Sequence, residues 1–153
     1  MNKQPITVKN GEGESLPVLG TQVRFLLEAA RTGNNFSLME VELPKDSGPP
    51  PHDHPWDEAY YIIDGDVWFM VEGKEQVFTS GDFVYAPGGV LHSFRGAGER
   101  PARVLVFDAP ATAEGFFRDA AREVVNYPDD LAKVPEIGLR HNLRFAPPPS
   151  AAA

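Results

Sequence analysis

The sequence predicts an all-β fold, an antiparallel sandwich or barrel, and three observations carry that prediction. Short aromatic and β-branched runs follow one another from Glu58: "EAYYIID", "DVWFMVE", "EQVFT", "DFVYAP", "VLHSF" and "ARVLVFD". Turn signals separate them, at Asp64-Gly65, Gly73, Ser80-Gly81, Gly88-Gly89 and the polar "RGAGERP". The 15 prolines and 14 glycines are more than a helical bundle tolerates. Together they describe many short strands at close spacing.

Taken in order, residues 1–17 are polar and read as a lead-in, with a short strand expected at Ile6–Lys9. Leu26 to Arg31 has helical propensity, but "TGNN" is a turn signal and Phe36–Leu43 alternates as a strand. Thr21–Ala29 is therefore expected to be the first arm of a hairpin. A single domain spans 18–145, with its barrel core at about 36–108. After Pro110, Phe116, Phe117, Ala120, Ala121 and Val124 recur at helical spacing, with Thr112 the expected N-cap. A second short helix is expected after Pro128, so the helical segment covers about 112–137. The closing residues 146–153, "APPPSAAA", are low in complexity and expected to be disordered.

Bulk composition narrows the function classes. The chain has 153 residues and a net charge of −8, and an acidic surface disfavours nucleic acid as a partner. Zero cysteines exclude disulfides, thiolate metal sites and a cysteine nucleophile. No apolar run reaches the roughly 18–20 residues that span a membrane, and no signal-peptide core is visible. A soluble, cytoplasmic protein is the expectation.

The informative stretch is "PPPHDHPWDEAYY", Pro49–Tyr61. Pro55 disfavours a helix through His54, so an extended chain is expected there. Side chains alternate along a strand, which places His52 and His54 on one side. Glu58 shares their parity, but it joins them only if the chain bends, and Pro55-Trp56-Asp57 supplies the bend. Asp57 then faces away. His92, which follows the turn "PGGV", is the candidate fourth ligand from a neighbouring strand. Imidazole and carboxylate suit Mn, Fe, Co, Ni, Cu or Zn without choosing among them. His141 in "LRHNLRF" has no partner at ligand spacing and reads as a surface or end-packing histidine. Trp56, Tyr60 and Phe94 beside the ligands, with Phe116 and Phe117 further on, are the candidate lining of an apolar substrate pocket.

These residues resemble the cupin family. Its first motif is a histidine pair, three residues, glutamate, six residues and glycine, matched here by His52, His54, Glu58 and Gly65. Its second motif is matched by Gly81, Pro87, Gly89 and His92. Two positions depart from the pattern: Gly48 lies closer to the histidine pair than expected, and Gly96 stands where an asparagine is usual. The resemblance implies a double-stranded β-helix barrel of jelly-roll type with short C-terminal helices. It also implies one divalent transition metal held by His52, His54, Glu58 and His92.

"VLG" at Val18–Gly20, "TGNNFSLMEVELP" and "AEGFFRDAA" are similar to the small quercetinase-like branch. That likeness implies a metal-dependent dioxygenase that cleaves a flavonol or similar aromatic hydroxy-ketone with O2. Glu58 would then serve as the catalytic base as well as a ligand. The alternatives are a non-oxidative cupin, such as a polyketide cyclase or isomerase, and a metal-dependent small-molecule binding protein. A homodimer is implied as well.

Overall fold

The computed structural model describes residues 3–147. Its strands are β1 (Ser15–Val18), β2 (Thr21–Leu27), β3 (Ser37–Leu43), β4 (His52–Asp53), β5 (Asp57–Asp64), β6 (Val67–Val71), β7 (Lys74–Phe78), β8 (Phe83–Ala86), β9 (His92–Gly96), β10 (Ala102–Ala109) and β11 (Arg144–Phe145). The helices are α1 (Ala29–Thr32), α2 (Ala113–Glu123) and α3 (Val134–Arg140), the last preceded by a 3-10 turn at Asp129–Lys133. Six strands form one sheet in the order β1-β2-β3-β10-β5-β8, and five form the other in the order β11-β4-β9-β6-β7. The named pairs within both sheets are antiparallel.

Period-two alternation explains the core between them. Along β10, Ala102, Val104, Val106 and Asp108 are buried while Arg103, Leu105 and Phe107 are only partly covered. On β5 the inward set is Glu58, Tyr60 and Ile62. Met39, Leu43, Ile62, Val67, Phe69 and Val104 fill the interior at 0–1% exposure. The strand that supplies the glutamate is thus anchored by its own apolar neighbours, two residues apart on the same face.

Several local expectations need correction. Ile6–Lys9 forms no strand, whereas Ser15–Val18, inside the expected lead-in, pairs with β2 as β1. Four alternating residues are too few to hold a strand unless a partner edge lies beside them. The hairpin arm ends at Leu27, and part of the helical propensity seen at Leu26–Arg31 is realised as the single turn α1. Thr112 makes no side-chain cap to α2; Asp108 Oδ2 accepts the Ala113 amide at 3.1 Å instead. The terminal helix runs on to Arg140, three residues past the expected end. Of the tail, the Ala146 amide donates to the Pro51 carbonyl at 2.8 Å, and 148–153, where disorder was expected, lie outside the described residues.

Helix α2 is fastened to the barrel by polar contacts at several points. Glu114 accepts the Ala29 amide at 2.9 Å. Arg118 reaches Glu14 and Glu28 at 2.8 Å each and Glu114 at 3.0 Å. Asp119 meets His141 Nε2 at 2.7 Å, which gives that histidine an end-packing role. The helix buries Phe116 and partly buries Phe117, bringing both rings to the barrel interior.

Candidate metal centre

His52 and His92 are direct cross-strand partners on β4 and β9, and their ring centroids lie 4.3 Å apart. The chain leaves β4 at Asp53, bends through Pro55 and Trp56, and re-enters the sheet system as β5. That bend brings Glu58 back to the histidines. His54 Nε2 lies 2.9 Å and His92 Nε2 3.2 Å from Glu58 Oε2. His52, His54, Glu58 and His92 are all buried, and their ligand atoms fall within 4.8 Å of one another. The four residues expected to converge stand together.

Asp57, which the sequence set aside as facing outward, has a structural task. Its Oδ1 accepts the Gly88 amide at 2.9 Å, while the Gly89 amide donates to the His54 carbonyl at 2.7 Å. These two bonds tie the bend to the turn that delivers His92. The two positions that depart from the motif also have close neighbours. A Cβ on Gly48 would sit 2.0 Å from the Phe94 carbonyl oxygen, and one on Gly96 would sit 2.4 Å and 2.5 Å from the carbonyl oxygens of Pro44 and Leu43. Only glycine lets the loop after β3 pass so close to β9.

Tautomers follow from the acceptors. His52 Nδ1 faces the Pro50 carbonyl at 2.8 Å, His54 Nδ1 the Trp56 carbonyl at 3.0 Å, and His92 Nδ1 the Val90 carbonyl at 2.8 Å. A carbonyl only accepts, so each Nδ1 carries its proton and each Nε2 is the ring atom left for a ligand. Burial, with the neighbouring His92, drives the His52 pKa down to about 3, so its ring is neutral at pH 7. Burial also acts to raise Glu58, but the hydrogen bonds and positive charge of His54 and His92 outweigh it and hold the carboxyl well below its ordinary range. Those bonds require a proton on Nε2 as well as on Nδ1 of each ring. For His92 burial works downward, and the Glu58 bond and charge reverse it, leaving the pKa raised.

Three imidazole nitrogens and a carboxylate oxygen suit a divalent transition ion, whose bonds to such atoms are ~2.0–2.2 Å. Ligand atoms around one ion therefore lie ~3–4 Å apart, and small side-chain adjustments from the observed spacing achieve this. The residues present fit the group.

Around the ligands, Tyr60 and Trp56 act on the site without lining its cavity. The Tyr60 hydroxyl donates to Glu58 Oε2 at 2.5 Å, and burial with the Glu58 charge keeps that phenol protonated by raising its pKa well above the ordinary value. Trp56 is 2% exposed, and its indole lies flat on the His54 ring at 3.9 Å with 2° between the planes. The other expected pocket residues, Phe94, Phe116 and Phe117, line a cavity of about 40 Å³ together with Glu58. Val18, Leu19, Val23, Val41 and Val106, with Thr21 and Pro49, complete its wall. Sequence reasoning missed Asp57, Leu19 and Phe145; the last packs on His52 at 5.7 Å from a strand near the chain's end. Only the "VLG" stretch gave a hint of Leu19.

Residues 39–108 match the family model described as the cupin domain. The chain carries a cupin domain. Quercetin 2,3-dioxygenase of Bacillus subtilis (strain 168) is 29% identical over 116 residues, covering 74% of this chain and 34% of that protein. The chain spans only about a third of that relative's length. Among solved structures, KdgF from Halomonas sp. is similar with a TM-score of 0.63 and 20% identity, over 70% of this cupin and 94% of that chain. A predicted oxalate decarboxylase from Thermotoga maritima gives 0.63 and 23%, over 69% and 99%. The polyketide cyclase RemF from Streptomyces resistomycificus gives 0.62 and 21%, over 69% and 80%. At these identities the structures share the cupin fold, and their differing names show that the fold does not select one chemistry.

Proposed function

We propose that this cupin is a metal-dependent dioxygenase of quercetinase type that acts on a flavonol or similar aromatic hydroxy-ketone with O2. The observation that carries the reading is the buried convergence of His52, His54, Glu58 and His92 beside an apolar cavity. A bound divalent ion would supply Lewis acidity and open coordination positions there.

The chain's own residues supply the remaining work. Glu58 lines the cavity, so its carboxylate oxygen is placed to take the proton of a substrate hydroxyl. Tyr60 donates to Oε2 and so holds the carboxylate in one orientation. The backbone carbonyls of Pro50, Trp56 and Val90 fix the imidazole planes. Phe94, Phe116, Phe117 and the valines exclude water and favour an apolar guest. The sequence likeness to a quercetin dioxygenase favours O2 as the co-substrate.

Tyr61, Phe83 and Tyr85 are exposed by 47%, 60% and 51% on the paired strands β5 and β8, with β8 at a sheet edge. This aromatic surface supports a homodimer, and a monomeric mass by light scattering would refute it.

The test of function is direct. Protein reconstituted separately with Mn, Fe, Co, Ni and Cu is mixed with quercetin while O2 uptake and loss of the flavonol band are recorded. Matched consumption of both, abolished in His92→Ala, is the expected outcome. Quercetin turnover without O2 uptake would replace the dioxygenase with non-oxidative cyclase or isomerase chemistry, and no turnover with any metal would reject quercetinase activity.

A further inference from the structure

The cavity at Glu58 has a volume of about 40 Å³, room for ~three waters and far below the ~300–1,000 Å³ of sites that hold drug-sized ligands. A multi-ring substrate does not fit inside it. A second, much larger space adjoins it: a groove of about 590 Å³ lined by Pro51, Trp68, Tyr127, Leu131, Val134 and Phe145, among others. Leu19, Pro49 and Phe94 line both spaces. Phe145, on the groove wall, lies 5.7 Å from the His52 ring and 6.0 Å from the Phe116 ring of the cavity wall.

Leu19 is also an anomaly of backbone conformation. Val18 pairs with Thr21, so Leu19-Gly20 is a two-residue hairpin loop, and both residues have positive φ, 51° and 80°. Such turns favour asparagine, aspartate or glycine at the first position, because a branched side chain resists the left-handed region. Here a leucine occupies it, 9% exposed, with its side chain on the boundary between groove and cavity. The loop is seated against Tyr127, whose ring would lie 3.3 Å from a Cβ on Gly20. Strained conformations persist where surrounding structure holds them, and they concentrate at functional sites.

We propose that the outer groove binds the aromatic body of the substrate and that Leu19 is the movable partition past which its hydroxy-ketone end reaches the ligand cluster. This rests on the proposed hydroxy-ketone chemistry. The groove's occupant is a flat, multi-ring compound, held by the Trp68, Tyr127 and Phe145 rings and by the aliphatic side chains of Leu131 and Val134. Specificity for the ring system is then set by Trp68 together with residues of the C-terminal segment, which is remote in sequence from the cupin motifs.

The test compares two probes on anaerobic, Ni-loaded protein by calorimetry. Quercetin presents its hydroxy-ketone on a multi-ring body; maltol presents a hydroxy-ketone on a single ring. Leu131, 39% exposed on the groove wall, is replaced by the larger tryptophan. Leu131→Trp is expected to weaken quercetin about 10-fold and to leave maltol within about twofold. Leu19→Gly, which suits the positive φ, is expected to raise the association rate of quercetin at least about threefold in stopped flow. Unchanged quercetin affinity in Leu131→Trp, or equal losses for both probes, overturns the groove assignment, and an unchanged association rate in Leu19→Gly overturns the partition. Wild-type protein that binds maltol but not quercetin overturns the groove while leaving hydroxy-ketone recognition intact. Binding of neither probe overturns that recognition itself.

Discussion

Replacing Trp56 tests how the second layer of the site acts on the first. Its indole covers one face of His54, while its backbone carbonyl holds His54 Nδ1. Trp56→Ala keeps the carbonyl and removes only the stacked ring, leaving the imidazole free to turn about the bond to its Cβ. Loss of such a supporting contact lowers metal affinity by about 10–100-fold, or ~1.4–2.7 kcal/mol. Because the side chain is 2% exposed, the same change should also cost about 3–5 kcal/mol of stability from lost burial and the cavity left behind. Trp56→Phe keeps a ring over His54, and its affinity should stay within about threefold of wild type. Competition of the metal-free proteins with a chromogenic chelator for Co²⁺ measures the affinities, and thermal unfolding followed by circular dichroism measures stability. If folded Trp56→Ala binds Co²⁺ as tightly as wild type, the indole does not orient His54 and the reasoning fails.

Gly96→Ala places a methyl 2.4–2.5 Å from two carbonyl oxygens, so backbone must shift; a loss of about 1–3 kcal/mol in chemical denaturation is expected, and wild-type stability would contradict the close approach. Glu40 provides a pH-dependent term. Burial raises its pKa, but the bonds and charges of Arg103 and Arg24 outweigh burial and leave it below 4.5. A carboxyl depressed in the folded state contributes stability that is present above its unfolded pKa and is lost as pH falls through the folded one. Glu40→Gln should therefore flatten the stability profile below about pH 4.5 relative to wild type, and denaturant titrations from pH 6 to 3 would reveal identical profiles if the ion pairs contribute nothing.

The central strands and the candidate ligand residues were legible because both depend on short-range patterns. Alternation placed Glu58, Tyr60 and Ile62 on one face of β5, and two-residue spacing with a proline bend marked His52 and His54. Other features depended on what the chain meets in space. Ile6–Lys9 alternates but has no paired strand, while Ser15–Val18 pairs because the Leu19-Gly20 turn folds it onto β2. Thr112 is a suitable cap by type, but Asp108, held by Ser37 across the β3–β10 pair, reaches the Ala113 amide instead.

By itself, then, the sequence determined the alternation of strands and turns, the acidic and cysteine-free chemistry, and the residue types able to hold a divalent metal. Tertiary structure decided which residues surround those ligands. Trp56 became a support for His54 rather than part of a cavity wall, Tyr60 a hydrogen-bond donor to Glu58, and Leu19 and Phe145 neighbours of a site far from them in the chain. The physical reason is range: period and spacing act through the covalent chain over a few residues, whereas contacts between β1, α2 and β11 arise only after the sheets have packed and the segments at either end have closed on them.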